Sequence, residues 1–540
     1  MRELLHASDA NSRRRAALTV GRIDDPAAIA ALERLLADPE ASETAAWALG
    51  RIDGGQAALT RCLEQECPGV RAAARWSTDV AALLRALHGS AANEAGIALG
   101  VLARTKAVFP GDAAAQVAAS RGRTGAAYAL SRLPKSAATG IRAALLQALS
   151  SDDGWTRALA ARAWGRHGLP AAELPIHDRD WRVRVEAARA LATAPGARID
   201  FADGSPQVLS ALLEAAPALG VLAPSTFAQP ALRCAAAQAR DRVHKQVMET
   251  ARACGNDWRG RARAGALAAE LGLQIEARRA FADQDGRVRA AAAGAAGAVF
   301  AEDLGRLLQD PDPYVVQDAA GALAKLPGAG GSKAAAVQAV QRLAGARAKP
   351  AGDPESDALT ALVALTGPVA NLLPTANAAL AEALGVHHAP VQRPPELLRG
   401  ARVLRIQTSR GELIVDLHTD IAPLTGAALA ALAQRHFYDG LDFHRVVPDF
   451  VVQGGDPRGD GDGGPGWAIP DEHSPLPFLR GTMGIATNGP ETGGSQFFFC
   501  HSPAPHLDGR YTVAGQLRPE SLPVMDALLI GDRILSANAE

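Results

Sequence analysis

The sequence predicts a multidomain α + β protein in which an all-α helical repeat solenoid is followed by a closed antiparallel β-barrel. Three observations lead to this fold class. A short unit with small apolar residues at helical spacing recurs before residue 390. After residue 400 the apolar spacing becomes two, in short runs separated by Gly-rich turns. Composition changes at the same place, since seven of the 12 phenylalanines lie in the last 104 residues.

The 540 residues therefore divide into three predicted parts. Residues 1–385 form the solenoid, residues 386–399 a Pro-rich linker, and residues 400–540 the barrel domain. The linker is recognised by Pro390, Pro394 and the residue after it, because proline lacks the amide donor that helices and central strands need.

The repeated unit of the solenoid begins with Asp or Gly and continues with an arginine and several alanines. Copies start at Gly69, Asp153, Asp180, Asp285 and Asp312, with two steps of 27 residues. An aspartate that accepts backbone N–H bonds at a helix start stabilises the helix by ~1 kcal/mol. Helix pairs this short must stack on copies of themselves to bury their apolar faces. The pattern resembles short HEAT repeats, which implies a concave face that could hold a protein partner.

The elements after residue 400 can be assigned in order. Residues 403–408 and 412–417 alternate as the two strands of a hairpin. Pro423 can open a helix over residues 424–435, and a second helical stretch lies at about 523–530. Many short strands with few helices are typical of a closed antiparallel barrel.

Two segments after residue 400 are informative about function as well as fold. Residues 443–457 read FHRVVPDFVVQGGDP, and residues 494–500 read GSQFFFC, followed by HLDGR at 506–510. In this order and spacing they resemble the signature of cyclophilin-type peptidyl-prolyl isomerases. The resemblance implies an eight-stranded antiparallel barrel capped by two helices. It also implies isomerase activity on proline-containing polypeptide clients, with no cofactor and no metal.

Rotation about an X–Pro bond faces a barrier of ~18–20 kcal/mol, because the amide is conjugated. Catalysis needs a dry pocket for the proline ring and a donor that favours the twisted amide. The resemblance implies that Arg445 is this donor and that Gln453 orients it. It also implies that Phe450 is the third catalytic residue. It implies eight substrate-binding residues, namely Val451, Ala486, Thr487, Gln496, Phe498, His506, Leu507 and Tyr511.

Four of these positions depart from the best-known eukaryotic pattern of the family. Val451 stands where methionine is usual, Thr487 where asparagine is usual, His506 where tryptophan is common, and Tyr511 where histidine is common. Valine is shorter than methionine, so we expect a shallower pocket and lower activity. Because His506 removes an indole donor that the family uses toward cyclosporin, we also expect weak inhibition by that drug.

Composition excludes several other classes of protein. With 56 Lys+Arg against 57 Asp+Glu, the net charge of −1 argues against a nucleic-acid binder. No apolar run reaches 18 residues, so no membrane span is expected. The first residues lack a secretory signal core, which favours a cytoplasmic protein, or a periplasmic one if a leader is missing. Five scattered cysteines are interpreted as small buried apolar residues.

The preferred hypothesis is a bacterial-type folding factor whose solenoid positions clients for the isomerase. Two alternatives stay open. The barrel could belong to a non-catalytic scaffold or chaperone that only binds proline-containing segments, or the repeats could act like those of chromophore lyases. The acidic loop at 459–464 matches G-x-G-x-x-G literally, but its aspartates would repel phosphate and its spacing lacks calcium ligands, so we interpret it as a surface turn.

Overall fold

The computed structural model describes seven parts of the chain, which are residues 1–135, 140–192, 203–215, 227–326, 336–339, 362 and 402–540. The predicted linker at 386–399 and the solenoid end at 385 lie outside the described residues. The three-part division therefore stays a prediction.

The described residues before 327 are built from short α-helices joined by tight turns. In chain order these helices are α1 Ala10–Arg22, α2 Ile29–Leu35, α3 Ser42–Arg51, α4 Gln56–Gln65, α5 Val70–Trp76, α6 Val80–Ala86, α7 Ala92–Leu102, α8 Ala113–Ala118, α9 Arg123–Leu130, α10 Ile141–Leu149, α11 Gly154–His167, α12 Trp181–Ala192, α13 Pro206–Ala215, α14 Pro230–His244, α15 Met248–Ala253, α16 Trp258–Glu270, α17 Gln274–Phe281, α18 Gly286–Gly294, α19 Ala301–Leu307 and α20 Pro313–Ala324. Helices pack on those one or two places away along the chain, such as α7 on α9 and α16 on α18, as stacked repeats of helix pairs must.

The aspartates that mark the repeats begin helices, as predicted. Asp153 accepts the backbone N–H of Thr156 at 2.8 Å, at the start of α11. Asp285 and Asp312 do the same at the starts of α18 and α20. Small residues fill the seams between helices, because a Cβ atom on Gly96 would lie 2.5 Å from the backbone of the next repeat. The repeat prediction is confirmed in these copies.

Arginines tie neighbouring repeats together, which the sequence interpretation missed. Arg157 donates two hydrogen bonds to the Asp178 carboxylate, from Nε at 2.7 Å and from Nη2 at 2.8 Å. Arg289 donates to the Asp310 carboxylate in the same way, with both hydrogen bonds at 2.7 Å. The remaining Nη1 of Arg289 donates to a backbone carbonyl six residues earlier. Only a guanidinium offers this planar fork, so the excess of arginine over lysine has a structural use.

Residues 402–540 form one antiparallel sheet of eight strands that curls into a barrel. The strands are β1 Val403–Thr408, β2 Gly411–Leu417, β3 Arg445–Val447, β4 Val451–Gly454, β5 Thr482–Ile485, β6 Phe497–Cys500, β7 Val513–Leu517 and β8 Ile534–Ala539. Their order in the sheet is β3–β4–β6–β5–β7–β2–β1–β8. The segment before β3 closes the curl, since Phe443 donates to the Asp532 carbonyl beside β8 at 2.8 Å.

Two helices accompany the sheet, α21 Pro423–Gln434 and α22 Leu522–Ala527. The first matches its predicted span within one residue, and Pro423 occupies its first turn. The second is shorter than the predicted stretch. The barrel interior is filled by apolar side chains that include the fully buried Phe443, Phe497 and Phe499. The predicted fold class is therefore confirmed.

The cysteines differ from the sequence interpretation. Cys62 is bonded to Cys67, and Cys234 to Cys254. Only Cys500 fits the expectation of a free, buried apolar residue. The first pair was overlooked although its cysteines are only five residues apart, and the second because the packing of α14 on α15 brings together cysteines that are 20 residues apart. Among the described residues, no helix is both long and apolar enough to cross a lipid bilayer.

The solenoid lies directly against the barrel. Arg22 of α1 donates to the carbonyl of His473 at 2.9 Å. Gln207 of α13 donates to the carbonyl of Leu528 at 2.7 Å. Tyr314 of α20 donates to the carbonyl of Asp462 at 2.6 Å. Because these contacts come from the beginning, middle and end of the described repeats, the barrel is held along the length of the solenoid.

Candidate active site

The barrel register brings the predicted catalytic side chains together. In the β3–β4 pair, Arg445 lies opposite Gln453, and in the β4–β6 pair Gln453 lies opposite Phe498. The Arg445 Nη1 atom donates to Gln453 Oε1 at 3.3 Å. Gln453 Nε2 then donates to Gln496 Oε1 at 2.9 Å. One guanidinium is thus oriented by a chain of two amides.

The acidic loop anchors the far end of this chain. Gln496 Nε2 donates to the carbonyls of Gly461 and Gly463 at 2.7 and 2.8 Å. The loop keeps its shape because the Asp456 carboxylate accepts three backbone N–H groups, among them that of Gly461 at 2.6 Å. The segment interpreted as a surface turn is therefore a support for the site. Within the described residues, no group of three or more His, Cys, Asp or Glu side chains is arranged to hold a metal ion.

A small apolar cluster beside the barrel core contains the residues predicted to hold the proline ring. Val451, Phe498 and Leu507 are 2, 5 and 8% exposed and belong to one cluster. Phe478 stacks on Phe498 with ring centroids 5.6 Å apart and supports it from below. Gly484 makes this packing possible, since a Cβ there would lie 2.4 Å from the Phe498 ring.

The side chains of Arg445, Phe450 and Tyr511 lie at the rim of the pocket. The Arg445 guanidinium carbon lies 5.8 Å from the centroid of the Phe450 ring. Partial burial lowers the pKa of Arg445 from its ordinary value, yet a guanidinium stays charged at neutral pH. Tyr511 meets Phe498 edge-on, with centroids 6.0 Å apart. The pocket therefore combines an apolar floor with a single cationic donor.

The remaining predicted residues lie at the two ends of this pocket. Ala486 follows β5, and its backbone N–H donates to the Gln496 carbonyl at 3.0 Å, with Thr487 next to it. At the other end His506 stacks on Phe450, with centroids 5.4 Å apart. Burial, with help from the charges of nearby arginines, lowers the pKa of His506 to about 3, so the ring is neutral.

The contacts above bring the predicted site residues into one connected region of the barrel, which we call the groove. Sequence reasoning missed the residues that hold the turn between β3 and β4. Asp449 accepts a hydrogen bond from Ser502 at 2.5 Å and pairs with Arg162 of α11 at 3.1 Å. Arg189 of α12 donates to the carbonyl of Pro448 at 3.1 Å. No local signal reveals these contacts, because the solenoid residues lie more than 250 positions away in the sequence.

Comparison with known proteins agrees with this geometry. Residues 403–534 match the family model for cyclophilin type peptidyl-prolyl cis-trans isomerase/CLD, and residues 1–78 match HEAT repeats. A peptidyl-prolyl cis-trans isomerase of Synechococcus elongatus is 51% identical over 132 residues, which are 24% of this chain and 91% of the relative.

The chain belongs to the cyclophilin family. A Helicobacter pylori peptidyl-prolyl cis-trans isomerase is 45% identical over 134 residues, 24% of this chain and 82% of that protein. A solved cyclophilin of Cryptosporidium parvum is 30% identical and covers 26% of this chain and 98% of its own, with a TM-score of 0.25. The cyclophilin domain is a peptidyl-prolyl cis-trans isomerase, fused here to HEAT repeats.

Proposed function

We propose that Arg445 is the catalytic donor of this isomerase and that Val451, Phe498 and Leu507 hold the client's proline ring. The observation that carries the proposal is the hydrogen-bonded chain from Arg445 through Gln453 to Gln496. A donor fixed in this way can act on the transition state without reorganising first.

The chemistry follows from the electronic structure of the imide bond. When the bond twists, conjugation is lost and the prolyl nitrogen recovers a lone pair that can accept a hydrogen bond. The Arg445 guanidinium at the pocket rim donates to that nitrogen only in the twisted state, which lowers the barrier selectively. The buried floor of Val451 and Phe498 anchors the ring while the preceding residue rotates. No proton transfer or covalent intermediate is needed.

The test compares three forms of the full chain by exchange NMR on an Ala-Pro peptide. We expect Arg445→Ala to lower kcat/KM by about 100-fold, as loss of one preorganised donor does elsewhere. Arg410→Ala is the matched control, because Arg410 lies on the barrel but pairs with Asp532 outside the groove. If Arg445→Ala kept full activity, Arg445 would not be the donor. If the wild type gave no catalysis above background, the non-catalytic scaffold would be favoured.

We further propose that proline-containing polypeptides are the clients and that the HEAT repeats help to bind them or a partner protein. HEAT repeats are stacked helices with extended faces suited to protein contacts. The chaperone role, the bacterial source and the absence of nucleic-acid partners stay predictions. Binding of an unfolded proline-rich client to the full chain, compared with residues 402–540 alone, tests the role of the repeats. Equal affinities would contradict it.

For the location we propose an oxidising compartment such as the periplasm, rather than the cytoplasm expected first. The pairs Cys62–Cys67 and Cys234–Cys254 support this choice, since disulfides persist in oxidising compartments and are rare in the cytosol. Alkylation of the protein drawn directly from its native cells should modify Cys500 alone after denaturation. Five alkylated cysteines would contradict the proposal.

A further inference from the structure

One cavity lies where the solenoid meets the active-site groove. It has a volume of about 660 Å³. One wall is formed by Phe450 and His506, the two stacked rings at the end of the proline pocket. The facing wall comes from the repeats, including Tyr128 of α9 and Trp155 of α11. A polypeptide in the groove therefore enters this cavity as it leaves the pocket on the side of His506.

Positive charge dominates the lining of the cavity. Five arginines line it, namely Arg104, Arg132, Arg162, Arg166 and Arg189, against the two carboxylates of Glu186 and Asp449. The carboxylates are already used, because Arg162 pairs with both of them and Arg189 pairs with Glu186. Arg166 donates to the carbonyl of Leu133.

Arg104 and Arg132 are the two remaining cations. Neither has a carboxylate within salt-bridge distance among the described residues, whereas most arginines of the repeats do. The Arg132 guanidinium carbon lies 5.8 Å from the centroid of the Tyr128 ring. The charges of Arg104 and Arg132 also reach His506 across the cavity, since both contribute to the lowered pKa of that ring. The cavity thus carries two cations that form no salt bridge with any described residue.

Three buried polar atoms of residues that line the cavity, two from the repeats and one from the barrel, also lack partners among the described residues. Among the described residues nothing accepts from Arg132 Nε or Tyr128 Oη, and nothing bonds to His506 Nδ1. Leaving such a buried atom without a partner is unfavourable, because its hydrogen bonds to water are lost on folding and not replaced. An oxygen-rich anion would satisfy donors of this kind, and a carboxylate can accept from several donors at once.

We propose that this cavity binds an acidic side chain of the client, one to three residues after the proline. This inference rests on the proposed function, which places Ala486 and Thr487 beside the residues that precede the proline. The opposite end of the groove, at His506, then takes the residues that follow it. A carboxylate on the chain leaving the pocket meets Arg104 and Arg132, while its aliphatic carbons contact Trp155 and Phe450. The repeats thereby contribute sequence selectivity to the isomerase.

The test uses four peptides that differ only at two positions, with Glu or Gln two positions after the proline, and Glu or Gln two positions before it. Exchange NMR on the full chain gives kcat/KM for each. We expect the peptide with Glu after the proline, the Glu peptide, to be favoured over that with Gln after it, the Gln peptide, by about 10-fold at low salt, as a desolvated charge pair can supply. Raising NaCl should reduce this preference. Glu before the proline should give no preference over Gln.

Two variants locate the effect. Arg104→Gln, at an exposed position, and Arg132→Gln should each reduce the preference for Glu while turnover of the Gln peptide stays unchanged. Arg14→Gln on α1 is the matched control and should change neither rate. If Arg132→Gln fails to fold, Arg104→Gln and the salt dependence still decide the question.

Several outcomes would overturn the proposal. Equal turnover of the Glu and Gln peptides would show that the cavity does not select an acid. The same preference for Glu before the proline would show that the attraction is not local. If inorganic phosphate at a few millimolar changed turnover of the Gln peptide as much as Glu does, the cavity would be a small-anion site. In each case the Gln peptide is still isomerised, so these failures are distinct from failure of the proposed function.

Discussion

At the residue scale, the site is one guanidinium whose direction is fixed by its neighbours. Arg445, Gln453 and Phe450 could be predicted from sequence because all three lie within nine consecutive residues whose order resembles the family signature. Gln496 could be predicted in the same way, from the second segment. The support behind them could not, because Asp449 acquires its partners Arg162 and Ser502 only through the tertiary fold.

His506 carries the first residue-scale prediction, which is weak inhibition by cyclosporin. The residue lacks the indole donor that the resemblance associates with this drug, and its ring already stacks on Phe450. The helices α11 and α12 also stand across the cavity from His506 and limit the room for a bulky macrocycle. Isomerase activity should persist at cyclosporin concentrations of about 1 μM, far above a nanomolar Kd. Half-inhibition at nanomolar drug would contradict the prediction.

Asp449 leads to a pH-dependent prediction. Burial, together with the charge of Glu186, raises the pKa of Asp449 to about 7, although Arg162 opposes this shift. Because an aspartate has an ordinary pKa near 4 when unfolded, the folded state binds the proton more tightly, and this residue's contribution to stability falls as pH rises from about 4 to 7. Asp449→Asn removes that dependence, and asparagine tolerates the left-handed backbone here, where φ is 60°.

We therefore expect the free energy of unfolding of Asp449→Asn, relative to the wild type, to rise by about 1–3 kcal/mol between pH 5 and pH 8. Urea titrations of both proteins across this range measure it. Asp318, whose pKa burial also raises to about 7, is present in both proteins and cancels in the comparison. A difference that stayed constant with pH would contradict the assignment.

At the element scale, an Asp-x-Asp pattern links neighbouring repeats at three places, which start at Asp178, Asp283 and Asp310. Asp310 accepts the Arg289 fork and also the backbone N–H of Asp312, while Asp312 begins α20. The sequence predicted the second aspartate of this pattern from its helix-starting role. The sequence also holds a hint of the first aspartate, because the pairs Arg157–Asp178 and Arg289–Asp310 share a separation of 21 residues. A spacing between two charges carries no local conformational signal, which is why it was overlooked.

The matching prediction replaces the fork with a point charge. Arg289→Lys keeps the charge but loses the bidentate bond to Asp310 and the bond to the Asp283 carbonyl. Because this pair is largely buried, we expect the free energy of unfolding to fall by about 1.5–3 kcal/mol. Arg61→Lys is the control, since its bidentate pair with Glu33 is exposed and should matter little. Equal midpoints of urea unfolding for the two variants would contradict the prediction.

At the scale of the whole molecule, the fusion is more than two domains on one chain. The sequence shows the halves to be oppositely charged, with 10 Lys+Arg and 17 Asp+Glu after residue 400, but it left docking open. In the structure, arginines of the repeats donate largely to backbone carbonyls of the barrel, as Arg51 does to Gly509. Such acceptors have no signature in sequence, so the contact surface could not be predicted from charge alone.

Arg75 of α5 gives the clearest test of this coupling. Its guanidinium pairs with Asp508 of the barrel at 2.7 Å, and the Asp508 side chain is 8% exposed. The other carboxylate oxygen of Asp508 accepts the N–H of Phe478, the ring that supports Phe498 in the proline pocket. Removing Arg75 leaves a buried, unpaired carboxylate whose pKa burial already raises. We expect Arg75→Ala to lower the free energy of unfolding by about 3–5 kcal/mol and to weaken isomerase activity as well.

The double variant Arg75→Ala/Asp508→Asn separates a lost charge pair from a general loss of packing. Asparagine keeps an oxygen for the Phe478 N–H but needs no cation, so the second substitution should recover most of the stability lost in the first. Arg61→Ala serves as the matched control, because its pair with Glu33 is exposed and lies within the repeats. Calorimetry of the full chains provides the measurement. If Arg75→Ala were as stable as Arg61→Ala, the contact between Arg75 and Asp508 would not stabilise the isomerase domain or its proline pocket.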